Sequence, residues 1–229
     1  MIKNILFDLD GTILDFKKCE HDAFCDMLRH FGAKNVDYEA LSQRYSEINV
    51  EQWKLLELGK ITRKEVSVNR FKYLFEEAGL DIDAEPAAEY YENELSFNHY
   101  YIEGAEEIVK RLSKKYRLYI ATNGHSAVQH RRVSDAGLEK YIKGLFISEE
   151  IGYDKPSREY FDRCFSMIPD FSREETVIVG DSLSSDILGG NNAGIVAIWY
   201  SPQVREAVGA KPDYVLRDLN DIDGLLEKI

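Results

Sequence analysis

The chain has 229 residues, 44% apolar and 31% charged, a balance that excludes a disordered polymer and suits one domain or a domain with an insert. A net charge of −12 argues against a nucleic-acid backbone or an anionic membrane as the main partner. No apolar stretch approaches the roughly 20 residues of a membrane span, and Asp8 cuts the first apolar run too early for a signal peptide.

Taken in chain order, the first strand is expected at Ile5–Phe7, ending in Asp8 and Asp10. From about 16 to 100 the pattern is helical and no convincing strand is found. Phe24, Met27, Leu28 and Phe31 fall at helical spacing, as do Phe71, Leu74, Phe75 and Ala78, and Tyr91 with Leu95. Gly32 and Gly79 stand where helices stop. Beyond residue 100, short apolar runs at Leu118–Ala121, Leu145–Ile147, Thr176–Val179, Ile195–Trp199 and Tyr214–Leu216 read as strands buried on both faces. Helical faces lie between them, one carrying Ile108 and Leu112, another Tyr160, Phe161, Cys164 and Phe165. The fold class expected is α/β, a Rossmann-like parallel sheet core made of 1–15 and 101–229, with an inserted α-helical domain over 16–100.

In an open parallel sheet, ligands bind outside the carboxyl ends of the strands. Asp8 and Asp10 follow the first strand, Thr122 and Asn123 the second, and Gly180 and Asp181 the fourth, with Asp186 five residues on. Any one of these is an ordinary turn or cap residue; together they point to one crevice. Two carboxylates about 4 Å apart repel by about 4 kcal/mol at an effective dielectric near 20. Three or more, with a phosphate beside them, require raised pKa values or a cation, and an all-oxygen donor set suits Mg²⁺. His21, His30, His99, His125 and His130 show no metal-ligand spacing. Cys19, Cys25 and Cys164 form no CxxC pair and read as reduced thiols of a cytoplasmic protein.

The run Asp8-Leu9-Asp10-Gly11-Thr12 closely resembles the first motif of the haloacid dehalogenase-like hydrolase superfamily. Thr122, Lys155-Pro156, and Gly180-Asp181-Ser182 with Asp186 resemble its other motifs, in order and at similar spacing. The resemblance implies a Mg²⁺-dependent phosphatase. Asp8 would attack phosphorus, and Asp10 would act as general acid and then general base. Thr122 and Asn123 would hold phosphate oxygens, and Lys155 would neutralise charge. Asp181 would bind the metal with the Asp8 side chain and the Asp10 carbonyl, and Asp186 would act through water or by orienting Lys155. Asp186 also reads as a surface acid in the first turn of a helix. Asp10 argues against the dehalogenases proper, which lack an acid there.

Within the superfamily, Thr122-Asn123-Gly124 with Gln129 and Arg132, and Gly189-Gly190 after Asp186-Ile187, look like the pyrimidine 5′-nucleotidase-like branch. The implied substrate is a small phosphorylated metabolite, a pyrimidine nucleoside 5′-monophosphate first, with a sugar phosphate or a phosphoglucomutase-type transfer as alternatives. The insert resembles the family's helical cap, whose Trp53, Tyr45, Phe97, Tyr100 and Tyr101 would either stack on a base or fill the cap's own core. A phosphate-binding scaffold and a receiver-like signalling domain are the rivals without turnover. A receiver lacks both the insert and an Asp8/Asp10 pair on its first strand. The assembly expected is a monomer or homodimer.

Overall fold

The apolar runs form the six strands of one sheet in a computed structural model that describes residues 1–229. In chain order the elements are β1 (Asn4–Phe7), α1 (Phe16–His30), α2 (Tyr38–Glu57), α3 (Arg63–Ala78), α4 (Ala84–Phe97), α5 (Ala105–Leu112) and β2 (Arg117–Thr122). There follow α6 (Ser126–Asp135), β3 (Ile142–Ile147), α7 (Ser148–Ile151), α8 (Arg158–Ser166), β4 (Thr176–Gly180), α9 (Leu188–Ala193), β5 (Val196–Tyr200), β6 (Tyr214–Leu216) and α10 (Ile222–Leu226). Two compact units result, one of Met1–Phe16 with His99–Ile229 and one of Lys17–Asn98.

In the first unit the strand order is β3-β2-β1-β4-β5-β6, with every neighbouring pair parallel. Successive side chains on a strand point to opposite faces. Ile5, Phe7, Leu118, Ile120, Val177 and Val179 therefore join Ile108, Val109 and Leu112 of α5 in one core. Leu6, Tyr119, Ala121, Ile178 and Trp199 join Tyr160, Phe161, Cys164 and Phe165 of α8 in the other. With helices on both faces the four inner strands are apolar between their ends, the polar residues Asn4, Arg117, Thr122 and Thr176 standing at strand termini. β6 departs from the expected pattern: it is an edge strand, with Tyr214 37% and Val215 43% exposed. β3, the other edge, starts earlier than its apolar run because Lys143 and Gly144 extend it.

The second unit is all helix. Phe24, Met27 and Leu28 of α1, Phe71, Leu74 and Phe75 of α3, and Ala88, Tyr91 and Leu95 of α4 form its interior. Thr62 and Glu65 close a reciprocal capping box at the start of α3, and Gly79 ends it in the left-handed region. α2 carries no apolar stripe to announce it. Its inward face is Ser42, Tyr45, Ile48, Asn49 and Gln52. These polar groups are accommodated because the interior is itself polar there. Buried Arg70 donates to Asn49 (3.0 Å) and Glu92 (3.0 Å), and Asn49 donates to Glu20 (2.7 Å).

The structure corrects the reading of the aromatics. Tyr45 is fully buried, stacked 4.7 Å from Phe24 and 4.9 Å from Phe71, so its ring is core and offers no face to a base. Tyr101 belongs to the sheet unit, where it packs on the core and donates to the Ala136 carbonyl at 2.7 Å. Phe97 and Tyr100 are 44% and 38% exposed. No helix is long and apolar enough to cross a membrane.

Candidate active site

β1 lies between β2 and β4, with Phe7 level with Ile120 on one side and Val179 on the other. The residues just past these positions, Asp8, Thr122 and Asp181, therefore emerge together at the carboxyl ends of the three strands. Asp8 stays in register because its N–H donates to the Val179 carbonyl at 2.9 Å.

Lys155 enters the same place from the loop after α7. Its ammonium, 1% exposed as a residue, spends all three protons: on Asp8 Oδ1 (2.8 Å), Asp186 Oδ1 (2.6 Å) and the Ala121 carbonyl (2.7 Å). Burial alone would lower the Lys155 pKa, but Asp186 and Asp8 outweigh it and hold the group above its ordinary value. The Asn123 side chain fixes the lysine main chain, accepting from Lys155 N–H (2.8 Å) and donating to Lys155 C=O (2.9 Å). Asp186, expected either as a site residue or as a surface acid, is fully buried; its other oxygen accepts from Ser182 N–H at 3.0 Å. The surface-acid alternative is thereby corrected. A π-helical turn at Leu183–Ile187 directs this side chain inward, and Ser182 caps that turn.

Carboxylate oxygens of Asp8, Asp181 and Asp186 lie within 4.8 Å of one another. Against these three acids stand the buried ammonium of Lys155 and, for Asp181, the guanidinium of Arg205. The consequence is visible in the acids. Burial pushes the Asp8 carboxyl well above its ordinary range, with Lys155 opposing and the other acids adding to the rise. Burial, then Asp186, raises Asp181 to about 7. An excess of buried negative charge with only oxygen donors fits a hard divalent cation such as Mg²⁺, and no histidine or cysteine belongs to the cluster. Gly11 makes the close approach possible. Its φ of 85° lies in the left-handed region, and a Cβ there would sit 2.7 Å from Asp181 Oδ2.

Asp10 stands apart from the acid cluster in its own net. Arg132 Nη1 donates to its Oδ1 at 2.5 Å and Gln129 Nε2 to its Oδ2 at 2.7 Å. Gln129 Nε2 also lies 2.8 Å from the Thr122 hydroxyl, and Arg132 Nη1 lies 3.0 Å from Gln129 Oε1. Gln129 and Arg132 match the branch motif, but the sequence alone shows no task for either. They stand one and two turns into α6, and their contacts to Asp10 span 119 and 122 residues of chain.

The family model for haloacid dehalogenase-like hydrolases matches residues 5–200. The chain belongs to this family. Among its members, the chain is similar to pyrimidine 5′-nucleotidase PynA of Streptococcus pneumoniae, 37% identical over 99% of this chain and 95% of that protein. It is also similar to pyrimidine 5′-nucleotidase YjjG of Escherichia coli, 31% identical over 98% and 97% of the two chains. The HAD-hydrolase YfnB of Bacillus subtilis is 38% identical over 98% of this chain and 95% of that one. A crystal structure of YfnB bound to magnesium superposes with a TM-score of 0.93, at 37% identity and 98% coverage of both chains.

Proposed function

We propose that the protein is a Mg²⁺-dependent phosphatase of small phosphomonoesters, with a pyrimidine nucleoside 5′-monophosphate as its substrate and Asp8 as its nucleophile. The observation that carries the reading is the buried cluster of Asp8, Asp181 and Asp186 around one lysine, in a member of a hydrolase family. The magnesium-bound structure of YfnB supports the choice of metal, and the nucleotidases PynA and YjjG support the choice of substrate.

The residues have the chemistry the reaction needs. Phosphomonoester hydrolysis is very slow unaided, and a carboxylate nucleophile divides it into two easier steps. In the first, an Asp8 oxygen forms a bond to phosphorus while the ester oxygen leaves with a proton from Asp10, giving an aspartyl-phosphate. In the second, water attacks phosphorus, its proton passes to Asp10, and the bond to Asp8 breaks. Lys155 steadies the Asp8 carboxylate throughout, and Thr122 and the Asn123 turn hold phosphate oxygens. Asp8, Asp181 and the Asp10 carbonyl would hold Mg²⁺, and a bound cation supplies neutralising charge to the acids and the phosphate dianion.

A phosphate-release panel with Mg²⁺ tests the substrate. UMP, dUMP and TMP are expected to show the highest kcat/KM. Faster turnover of sugar phosphates would overturn the nucleotide assignment and leave the phosphatase reading standing.

A further inference from the structure

We infer that Gln129 and Arg132 are the positioning residues of the acid–base group, holding Asp10 by both oxygens and coupling it to the phosphate-gripping Thr122. The inference rests on the phosphatase reading above. The bonds it rests on involve the Asp10 side chain and not the carbonyl assigned to the metal. Arg132 is fully buried and Gln129 is 1% exposed, so both donors are shielded from water, while the Asp10 side chain is 23% exposed. One donor sits on each Asp10 oxygen, and a carboxylate oxygen has two lone pairs. Each oxygen therefore keeps a place for the proton in transit. The two donors also brace each other, and Gln129 bridges to Thr122, so a displacement of either end is felt at the other.

The site is shaped around this pair. A Cβ on Gly124 would lie 2.3 Å from Gln129 Nε2 and 2.6 Å from its Cγ. The turn after β2 can carry only glycine there while Gln129 reaches Asp10. Phe16 lies under the Arg132 guanidinium at 5.9 Å, covering it from another side.

A purely structural arginine and glutamine would brace α6 against the Asp10 turn, and their loss would slow every substrate alike. Positioning residues of a general acid leave a different signature, because only a poor leaving group needs the proton. The experiment compares kcat/KM for ethyl phosphate and p-nitrophenyl phosphate with saturating Mg²⁺, a constant that reports the first phosphoryl transfer. The proteins are the wild type, Asp10→Asn, Gln129→Met, Arg132→Met and Gly124→Ala.

The ethyl-to-nitrophenyl ratio is expected to fall at least about 10-fold in Gln129→Met and Arg132→Met, part of the roughly 10²–10⁴ that a general acid supplies. Gly124→Ala, which keeps every functional group but displaces Gln129, is expected to shift the ratio the same way by a smaller factor. Should Arg132→Met fail to fold, Gln129→Met and Gly124→Ala carry the test. Equal losses on both esters, or none, in variants whose Asp10→Asn counterpart shows the ratio change would overturn the inference alone. A wild type that releases phosphate from neither ester would overturn the phosphatase reading beneath it.

Discussion

Asp181 is the residue at which the proposed metal and a proton compete. Its carboxyl is raised from 3.8 to about 7 by burial and by Asp186, so the metal-free fold binds a proton there more tightly than the unfolded chain does. The sign follows: stability linked to this group is present at low pH, declines as pH rises from about 4 to about 7, and is level above that. The loss is on the order of 2–4 kcal/mol. A divalent cation needs the ionised carboxylate and removes the penalty. Urea midpoints in EDTA are therefore expected to drop between pH 5 and pH 8, and the gain from added Mg²⁺ to grow over the same range. A Mg²⁺ gain independent of pH would contradict the assignment of Asp181 to the metal. At this scale the sequence was most informative. The placement of Asp8, Asp10 and Asp181 was legible because acids close after an apolar run are a local signal, and Lys155 and Asp186 were legible through their resemblance to the family's motifs. Arg132 and Gln129 had no legible role, because what they do depends on a contact across more than a hundred residues.

The elements that aim these residues were legible where burial is apolar and obscure where it is not. The inner strands follow from their continuous apolar runs, and α1, α3, α5 and α8 from helical periodicity. α2 does not, since its inward face is largely polar and finds partners in Glu20, His21 and Arg70 of other helices. The exposed edge strand β6 misled in the opposite sense, its short apolar run reading as an interior strand. The junction of β4 with the π-helical turn is the element on which the site most depends. Gly180 ends the strand where a Cβ would fall 2.2 Å from Asp186 Oδ2 and 2.6 Å from its Cβ. Gly180→Ala must expel Asp186 from Lys155. Overpacking of this kind costs about 1–3 kcal/mol, and kcat is expected to fall by more than about 10-fold with the loss of the lysine's orientation. A variant with wild-type melting and turnover would show that Asp186 does not hold Lys155 for catalysis.

For the molecule as a whole, the net charge of −12 and a dianionic substrate are compatible because charge acts locally. At physiological salt the screening length is about 8 Å, so distant surface acids are largely hidden from the crevice. Inside it, the buried cations Lys155 and Arg132 and an oxygen-lined place for a divalent ion oppose the nearby acids. The division into a sheet unit and a helical unit was legible because the hydrophobic period changes from strand-like runs to helical spacing within the chain. The choice among substrates was not, because the aromatics singled out for it include Tyr45 and Tyr101, which serve their own cores. All of the chemistry proposed turns on Asp8 forming a bond to phosphorus. Rapid acid quench of enzyme, Mg²⁺ and UMP, followed by peptide mass spectrometry, reads that bond. One phosphoryl group on the peptide containing Asp8, absent together with turnover in Asp8→Asn, is the expected result. Full turnover by Asp8→Asn, or phosphate release with no phosphorylated Asp8 at any quench time, would contradict it.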